Sequence, residues 1–140
     1  MSCFRLIYCS QIVPPLDRAG LDAILASARR HNDRNDLTGC LYFDGYHFIQ
    51  ALEGGSQDVN ETYQRISRDG RHHTITLLSF GAVNTRIALH AMALAERTDA
   101  VELALDALRD PEGHFVPERF GPAQAQMFMQ LCATGATPAP

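Results

Sequence analysis

The sequence predicts an α+β sandwich: one β-sheet with two helices on one face and a C-terminal helical appendix on the other. Three observations favour this fold. Strand and helix patterns alternate in the order β-α-β-β-α-β-β, the strands are apolar on both faces, and helical patterning continues after the last strand. The chain has 140 residues, 46% of them hydrophobic and 20% charged, which is typical of one globular domain.

The first half of the chain supplies three strands and one helix. Residues 4–9 have strand composition, and apolar residues at helical spacing predict a helix from the N-cap Asp17 to about residue 33. Residues 38–43 form the next predicted strand. Asp44-Gly45 is a tight-turn pair, so residues 47–53 are expected to return antiparallel to that strand.

The second half continues the alternation and then becomes helical. The predicted elements are a helix from residue 56 to about 69, strands over 74–80 and 87–94, and helices over 98–109 and 123–132. Up to residue 94, the order is that of a ferredoxin-like βαββαββ sandwich.

Two of the predicted strands lack a polar face. Residues 4–9 and 47–53 carry apolar side chains at both alternating sets of positions. A sheet with one solvated face would alternate between polar and apolar residues. The second face is therefore expected to be covered, either by the C-terminal helices or by another subunit.

Composition excludes several classes of function. All 12 basic residues are arginine, so the chain has no lysine for a Walker-type phosphate loop or a Schiff base. The net charge of −4 disfavours nucleic-acid binding. There is no apolar run of membrane-spanning length and no secretory signal pattern, so we predict a cytoplasmic protein that does not bind membranes.

Three polar side chains fall where the periodicity places a buried core. Asn32 shares the apolar stripe of the first helix, Gln50 lies on one strand face with apolar neighbours, and Tyr8 does the same on the first strand. A buried polar group without a partner costs about 1–3 kcal/mol. These three must therefore bond one another, the backbone, or a ligand. A flat heterocycle with donors and acceptors along its edge would satisfy them together.

The end of the second predicted helix gathers further polar residues: Arg65, Asp69, Arg71, His72 and His73. Cations beside a helix terminus are suited to a phosphate group, although a hydrated surface with ordinary ion pairs has the same pattern. Adjacent histidines on a strand point in opposite directions, and no other ligand stands at metal-binding spacing. We therefore predict no metal site.

Three motifs follow one another along the chain: Arg5-Leu6-Ile7-Tyr8-Cys9-Ser10, His31-Asn32 leading into Leu37-Thr38-Gly39, and Phe48-Ile49-Gln50-Ala51-Leu52-Glu53-Gly54. Together they resemble the BLUF family of blue-light receptors that use flavin adenine dinucleotide (FAD). They occur in the family's order and with matching intervals, and Arg65 to His73 fits a fourth motif. The segment from Phe115 to Phe128 also looks like the short, stand-alone members.

The resemblance implies a role for each candidate residue. Tyr8 would be the photo-oxidised tyrosine, Gln50 the switching amide, and Met92 the methionine of the last strand. Asn32 would hold the pyrimidine edge of the flavin, with the other cofactor-binding positions at Arg65, Asp69, Arg71 and His72. Where many members have tryptophan this chain has His90, which would bring a titratable group near the site.

The expected organisation is a flavin-binding domain over residues 1–95, a helical appendix over 96–133 and a flexible tail over 134–140. The resemblance implies a sensor rather than an enzyme, a homo-oligomer, and output through an unidentified downstream signalling protein. Two alternatives stay open. One is a cofactor-free interaction module, and the other is an acylphosphatase-like hydrolase using Asn32 and an arginine. Yellow colour and a reversible spectral shift under blue light would discriminate the sensor from both.

Overall fold

The computed structural model of the protein describes residues 3–136, which form one five-stranded sheet and four α-helices. In chain order, the elements are β1 Cys3–Ile12, α1 Arg18–Arg34, β2 Thr38–Phe43, β3 His47–Gly54, α2 Ser56–Ser67, β4 His72–Val83, β5 Ala93–Leu94, α3 Asp99–Ala107 and α4 Pro122–Thr134. A short 3₁₀ turn, Pro117–Arg119, precedes α4.

Helix starts follow the capping residues in the sequence. Asp17 caps α1, because its carboxylate accepts a hydrogen bond from the Gly20 backbone N–H at 2.8 Å. Thr98 caps α3 in the same way, accepting from the Val101 N–H at 3.2 Å. Both caps satisfy backbone donors that have no partner within the helix.

The sheet has the order β4-β1-β3-β2-β5. The contacts between β1 and β3, β1 and β4, and β2 and β3 are antiparallel, whereas β2 and β5 are parallel. This confirms the predicted ferredoxin-like α+β fold. The central pair β1–β3 places Tyr8 directly opposite Gln50, so both side chains emerge on one face.

The two faces of the sheet bury separate hydrophobic cores. On one face, α1 and α2 cover a core that includes Leu6, Tyr8 and Leu52. The alternate strand residues, such as Ile7 and Ile49, point to the opposite face and pack with α3 and α4 in the second core. Of the two predicted covers for this second face, the structure contains the C-terminal helices. The absence of a polar strand face thus correctly predicted that a second layer, here α3 and α4, covers this side of the sheet.

The last strand is much shorter than predicted. Instead of 87–94, β5 covers only two residues, Ala93–Leu94, and the chain from 84 to 92 forms turns and bends. The backbone N–H groups of Ile87 and Ala88 donate to the buried carboxylate of Glu53 at 3.0 and 2.7 Å. A side chain takes the donors that a strand ladder would use, so the strand pattern of this segment is not realised.

The predicted tail over 134–140 begins at Thr134, the last residue of α4. Residues 137–140 of this prediction lie outside the described residues.

Candidate functional site

A cavity of about 190 Å³ lies between α1, α2 and the sheet face that they cover. All seven predicted binding residues and the predicted Met92 line it: Tyr8, Asn32, Gln50, Arg65, Asp69, Arg71, His72 and Met92. The structure thus brings together residues from five separate stretches of the chain, at positions 8, 32, 50, 65–72 and 92. The rest of the wall is mainly apolar, from Ile24, Leu25, Ala28, Leu41, Phe48, Leu52 and Ile66.

A chain of polar contacts crosses the sheet side of this cavity. The Tyr8 hydroxyl donates to Gln50 Oε1, and Gln50 Nε2 donates to the Met92 thioether Sδ at 3.5 Å. All three residues are at most 5% exposed. Gln50 therefore connects a phenol on one side with a thioether on the other, with its amide oxygen and nitrogen in different roles.

Tyr8 lies in an apolar and aromatic setting. Its ring centroid is 5.5 Å from that of Tyr63 and 6.3 Å from that of His72. Burial is the main cause that raises the pKa of the Tyr8 phenol well above its usual range, because the phenolate would lose its hydration there. The phenol is therefore protonated and able to donate at neutral pH.

Asn32 occupies the last turn of α1 with 1% of its surface exposed. Its Nδ2 donates to the Ala91 carbonyl at 2.6 Å, which ties the end of α1 to the segment that carries Met92. An amide nitrogen carries two hydrogens, so the Asn32 side chain can offer its second N–H and its Oδ1 to a further partner. The predicted burial of Asn32 is confirmed. Of the partners that the sequence left open for it, the backbone is the one seen here.

Basic groups gather where α2 ends. Arg65, Arg71 and His72 line this end of the cavity together with Asp69, whose carboxylate binds Arg71 Nε at 2.9 Å. The hydrogen bond from Arg71 is the main cause that lowers the pKa of the Asp69 carboxyl. One carboxylate is therefore balanced by more than one cation, which leaves this end positively charged.

Two hydrogen bonds fix the ring of His72. Its Nε2 lies 2.7 Å from the Ile66 carbonyl, which accepts, so Nε2 carries the hydrogen in this arrangement. Its Nδ1 lies 2.6 Å from the hydroxyl oxygen of Ser10, within hydrogen-bond distance. The contact with Ser10 could not be predicted from sequence proximity, because the two residues are on different strands.

Sequence patterns did not identify the residues that hold the Met92 segment. Arg29 on α1 donates from Nε to the Met92 carbonyl at 3.2 Å, and the Gly39 N–H donates to the His90 carbonyl at 3.0 Å. A Cβ atom at Gly39 would lie 2.7 Å from the Ala51 backbone carbonyl oxygen and 2.5 Å from the Met92 methyl carbon. The methionine side chain could move but the strand backbone could not do so cheaply, so the close approach favours glycine. A glycine before the strand residue Cys40 is the signal that could have indicated this.

A buried ion pair joins this segment to α4. Arg5 Nε binds Glu53 at 2.8 Å, and the other guanidinium nitrogens reach the Thr85 carbonyl at 3.0 Å and Gln126 Oε1 on α4 at 2.8 Å. Glu53 is fully buried, and its carboxylate also accepts the two N–H groups of residues 87 and 88. Arg5 and Glu53 each stand within an apolar strand segment, which is the sequence signal that could have indicated a buried ion pair.

His90 is exposed and does not line this cavity. The expectation that it brings a titratable group near the site is wrong. Because residues 84–92 form bends rather than a strand, alternation along a strand does not fix its side-chain direction. His90 instead borders a smaller pocket beside Gly39 and the end of α4.

The described part of the chain has neither a cluster of metal-ligating side chains nor a membrane-spanning helix. Between residues 3 and 136, no group of three or more His, Cys, Asp or Glu side chains is placed to hold a metal ion. Within the same residues, no helix is long and apolar enough to cross a membrane.

A family model described as "BLUF: Sensors of blue-light using FAD" matches residues 3–89 of this chain. The chain is 33% identical over 107 residues to the blue light- and temperature-regulated antirepressor BluF of Escherichia coli. It is 31% identical over 105 residues to the photoactivated adenylate cyclase subunit beta of Euglena gracilis. These matches cover 72% and 75% of this chain, but only 27% and 12% of the two relatives.

Solved structures match over most of the chain. BlsA in its photo-activated state is 26% identical, with a TM-score of 0.83 and 94% of each chain covered. The dark-state structure of BlrB, a BLUF protein, is 25% identical, with a TM-score of 0.74, covering 95% of this chain and 97% of the other. The similarity to these two structures extends beyond the sheet and α1–α2, because their coverage includes the C-terminal helices.

Proposed function

Because this chain belongs to the BLUF family of blue-light sensors, we propose that it binds FAD between α1 and α2 and signals through a light-driven rearrangement at Tyr8 and Gln50. The observation that carries this proposal is the chain of contacts from Tyr8 through Gln50 to Met92 along the wall of one cavity. Both relatives described as light-regulated or photoactivated are proteins several times longer, so their outputs are not transferred to this chain.

The donor set of the cavity fits a flavin. A volume of about 190 Å³ has room for roughly a dozen water molecules, which is enough for a fused ring system. The aliphatic walls suit the faces of a flat ring, and the carboxamides of Asn32 and Gln50 suit its polar edge. Arg65 and Arg71 would face the ribityl and phosphate side, where guanidinium donors favour phosphate. His72 would line this end without donating, because its two ring nitrogens already bond Ser10 and Ile66. A dinucleotide, rather than a mononucleotide, is part of the proposal.

When bound, the flavin absorbs blue light and supplies the excited-state oxidising power. Tyr8 would give one electron to the bound ring, and its phenolic proton would move to Gln50 Oε1, which already accepts the Tyr8 hydrogen bond. The Gln50 amide nitrogen would release one proton to the same ring, so Gln50 gains and loses one proton. When the electron and proton return to Tyr8 the reaction leaves no net product, but the donor and acceptor ends of Gln50 have exchanged. Rotation and tautomerisation of the amide both give this exchange.

The exchange reaches the rest of the protein through Met92. Before illumination, the Gln50 amide nitrogen donates to Met92 Sδ. After the exchange this hydrogen bond is lost, so the segment before β5 has one contact fewer. The stored change is about 1–3 kcal/mol, so it acts on an element that already has two arrangements of similar energy. We propose that the 84–92 segment and the C-terminal helices α3 and α4 are this element. The receiver would be a downstream protein or another copy of this chain, in the cytoplasm.

The deciding experiment is purification in darkness, followed by absorption spectra before, during and after blue light. We expect a yellow protein, release of FAD on denaturation, and a small red shift that reverses in the dark. A colourless protein after reconstitution with FAD would favour the cofactor-free interaction module. Hydrolysis of an acyl phosphate by the colourless protein would favour the hydrolase, and either result overturns the sensor.

A further inference from the structure

The main chain beside Met92 is held mostly by single contacts rather than by a strand ladder. β5 contributes only two residues, and before it the His90, Ala91 and Met92 carbonyls accept one donor each from Gly39, Asn32 and Arg29. Two of these donors come from α1. The position of Met92 therefore depends on how α1 holds this short stretch.

Among the three donors, Arg29 is the one whose side chain acts from outside the cavity. Asn32 lines the cavity, and Gly39 contributes a backbone group, whereas Arg29 is half-buried on α1 and absent from the cavity wall. Its Nε–H lies 3.2 Å from the Met92 carbonyl oxygen. Because the donor is a charged guanidinium, this hydrogen bond is stronger than one between neutral groups.

The proposed light reaction changes the hydrogen-bond partner of the Met92 sulfur, whereas Arg29 contacts the Met92 carbonyl. In the structure, Gln50 Nε2 donates to Met92 Sδ at 3.5 Å. After the donor and acceptor ends of Gln50 exchange, an acceptor faces the sulfur and no hydrogen bond forms. The light-adapted state is then stabilised if the 91–92 main chain moves away, and the Arg29 hydrogen bond opposes that movement.

We propose that Arg29 is a positioning residue that sets the lifetime of the light-adapted state by holding the Met92 carbonyl in its dark position. This inference rests on the proposed function, because it requires a reversible light response. Arg29 raises the free energy of the relaxed light-adapted arrangement relative to the dark one. Its removal therefore makes the light-adapted state longer-lived.

The test measures thermal recovery of the dark spectrum after a blue pulse, using the flavin-loaded full chain. We expect Arg29→Ala to retain flavin and the red shift, and to recover about three- to tenfold more slowly than the unsubstituted protein. Arg29→Lys, which keeps the charge but has a different donor geometry, is expected to recover at an intermediate rate. Arg30→Ala removes the same charge from the exposed neighbouring position and is expected to recover at the original rate.

A general loss of stability does not predict this set of rates, so the free energy of unfolding in urea is measured for each variant. Equal recovery in Arg29→Ala and the unsubstituted protein, faster recovery, or equal slowing by Arg30→Ala overturns the inference. If Arg29→Ala does not fold, Arg29→Lys decides it, because an unchanged rate in that variant overturns the role. Absence of any light response in the unsubstituted, flavin-loaded protein is a different result: it overturns the proposed function itself.

Discussion

Arg5 and Glu53 form a buried ion pair with 2.8 Å between the Arg5 Nε and a Glu53 carboxylate oxygen. The two residues are direct neighbours across β1 and β3, and Glu53 is fully buried. The pair connects three parts of the molecule: the sheet, the backbone at residues 85–88, and Gln126 on α4. Its geometry leads to the first prediction.

We expect Arg5→Met to destabilise the protein strongly, because it leaves the Glu53 carboxylate buried without a counter-charge. Removing one partner of a buried pair costs about 3–5 kcal/mol. Urea unfolding measures this change. The matched control is Arg18→Met, since the Arg18–Asp22 pair has a similar distance of 2.9 Å but is largely exposed. That variant should change the free energy of unfolding by less than about 1 kcal/mol. Similar losses in both variants would contradict the importance of burial.

Tyr8→Phe tests the electron and proton donor. The substitution removes the hydroxyl that donates to Gln50 and keeps the aromatic ring that packs on Tyr63. We therefore expect flavin to stay bound while the reversible red shift disappears. Absorption spectra in darkness and under blue light measure both. Tyr46→Phe is the control, because Tyr46 is 77% exposed and outside the cavity. A normal red shift in Tyr8→Phe would exclude Tyr8 as the donor.

Asn32→Ala should weaken flavin retention. It removes an amide from the cavity wall and the 2.6 Å hydrogen bond to the Ala91 carbonyl, so we expect a loss of about 1–3 kcal/mol, or roughly five- to 150-fold in affinity. Flavin titration of the apoprotein gives the affinity directly. Asn35→Ala is a suitable control, because Asn35 bonds the His31 carbonyl near the same helix end but does not line the cavity. Equal affinities in the two variants would show that the ring is held elsewhere.

Gly39→Ala tests the close approach of β2 to Met92. The added methyl would lie 2.5 Å from the Met92 methyl carbon and 2.7 Å from the Ala51 carbonyl oxygen. Overpacking of this kind costs about 1–3 kcal/mol. We expect a lower urea midpoint and an altered dark absorption maximum. In Gly81→Ala, the added Cβ meets open space, so this control should change neither measurement. An unchanged Gly39→Ala protein would show that Met92 and the backbone adapt freely.

We expect the stability of the protein to depend on pH through His47, at the hairpin between β2 and β3. The hydrogen bond with Asp44 is the main cause that raises the pKa of His47, whose Nδ1 lies 3.2 Å from the carboxylate, with Glu118 3.8 Å from its other nitrogen. A raised folded pKa means that protonated His47 stabilises the fold below its unfolded pKa of about 6.5, and this contribution is lost as the pH rises through the folded pKa.

We therefore expect the stability difference between the unsubstituted protein and His47→Gln to be largest near pH 5.5–6 and to shrink towards pH 8. Urea unfolding across this range measures it. His90→Gln, at an exposed histidine, provides the matched control. A difference that does not vary with pH would contradict a charge interaction at His47. Below this range Asp44 itself becomes relevant, because its pKa is lowered and its contribution is lost only as the pH falls through that lower value.

Local periodicity explains why much of the candidate site could be predicted. Helical spacing placed Asn32 on the buried stripe of α1, and strand alternation placed Tyr8 and Gln50 on inward-facing positions. Both patterns depend on a few neighbouring residues and on a fixed repeat. The Asp44-Gly45 turn predicted only the pairing of β2 with β3, which sets Gln50 opposite Leu41. The pairing of β1 with β3, which sets Tyr8 opposite Gln50, joins strands that are distant in sequence and has no local signal.

The segment before β5 could not be predicted by the same means. Its conformation depends on Glu53, more than 30 positions earlier, whose carboxylate binds the backbone at residues 87 and 88. Such a contact has no local signature, and apolar residues in the segment imitated a strand. The role of Arg29 was hidden for a similar reason, because its partner is a backbone carbonyl on a distant part of the chain.

The strand β3 is shared by the two sides of the sheet. Gln50 faces the cavity, whereas its chain neighbours Ile49 and Ala51 pack in the core that contains Phe128 and Met129 of α4. The proposed rearrangement at Gln50 and the helical layer are thus separated by the thickness of one β-strand. A shift of the β3 main chain at Gln50 would therefore move the side chains of Ile49 and Ala51 directly against the core that α4 shares with them.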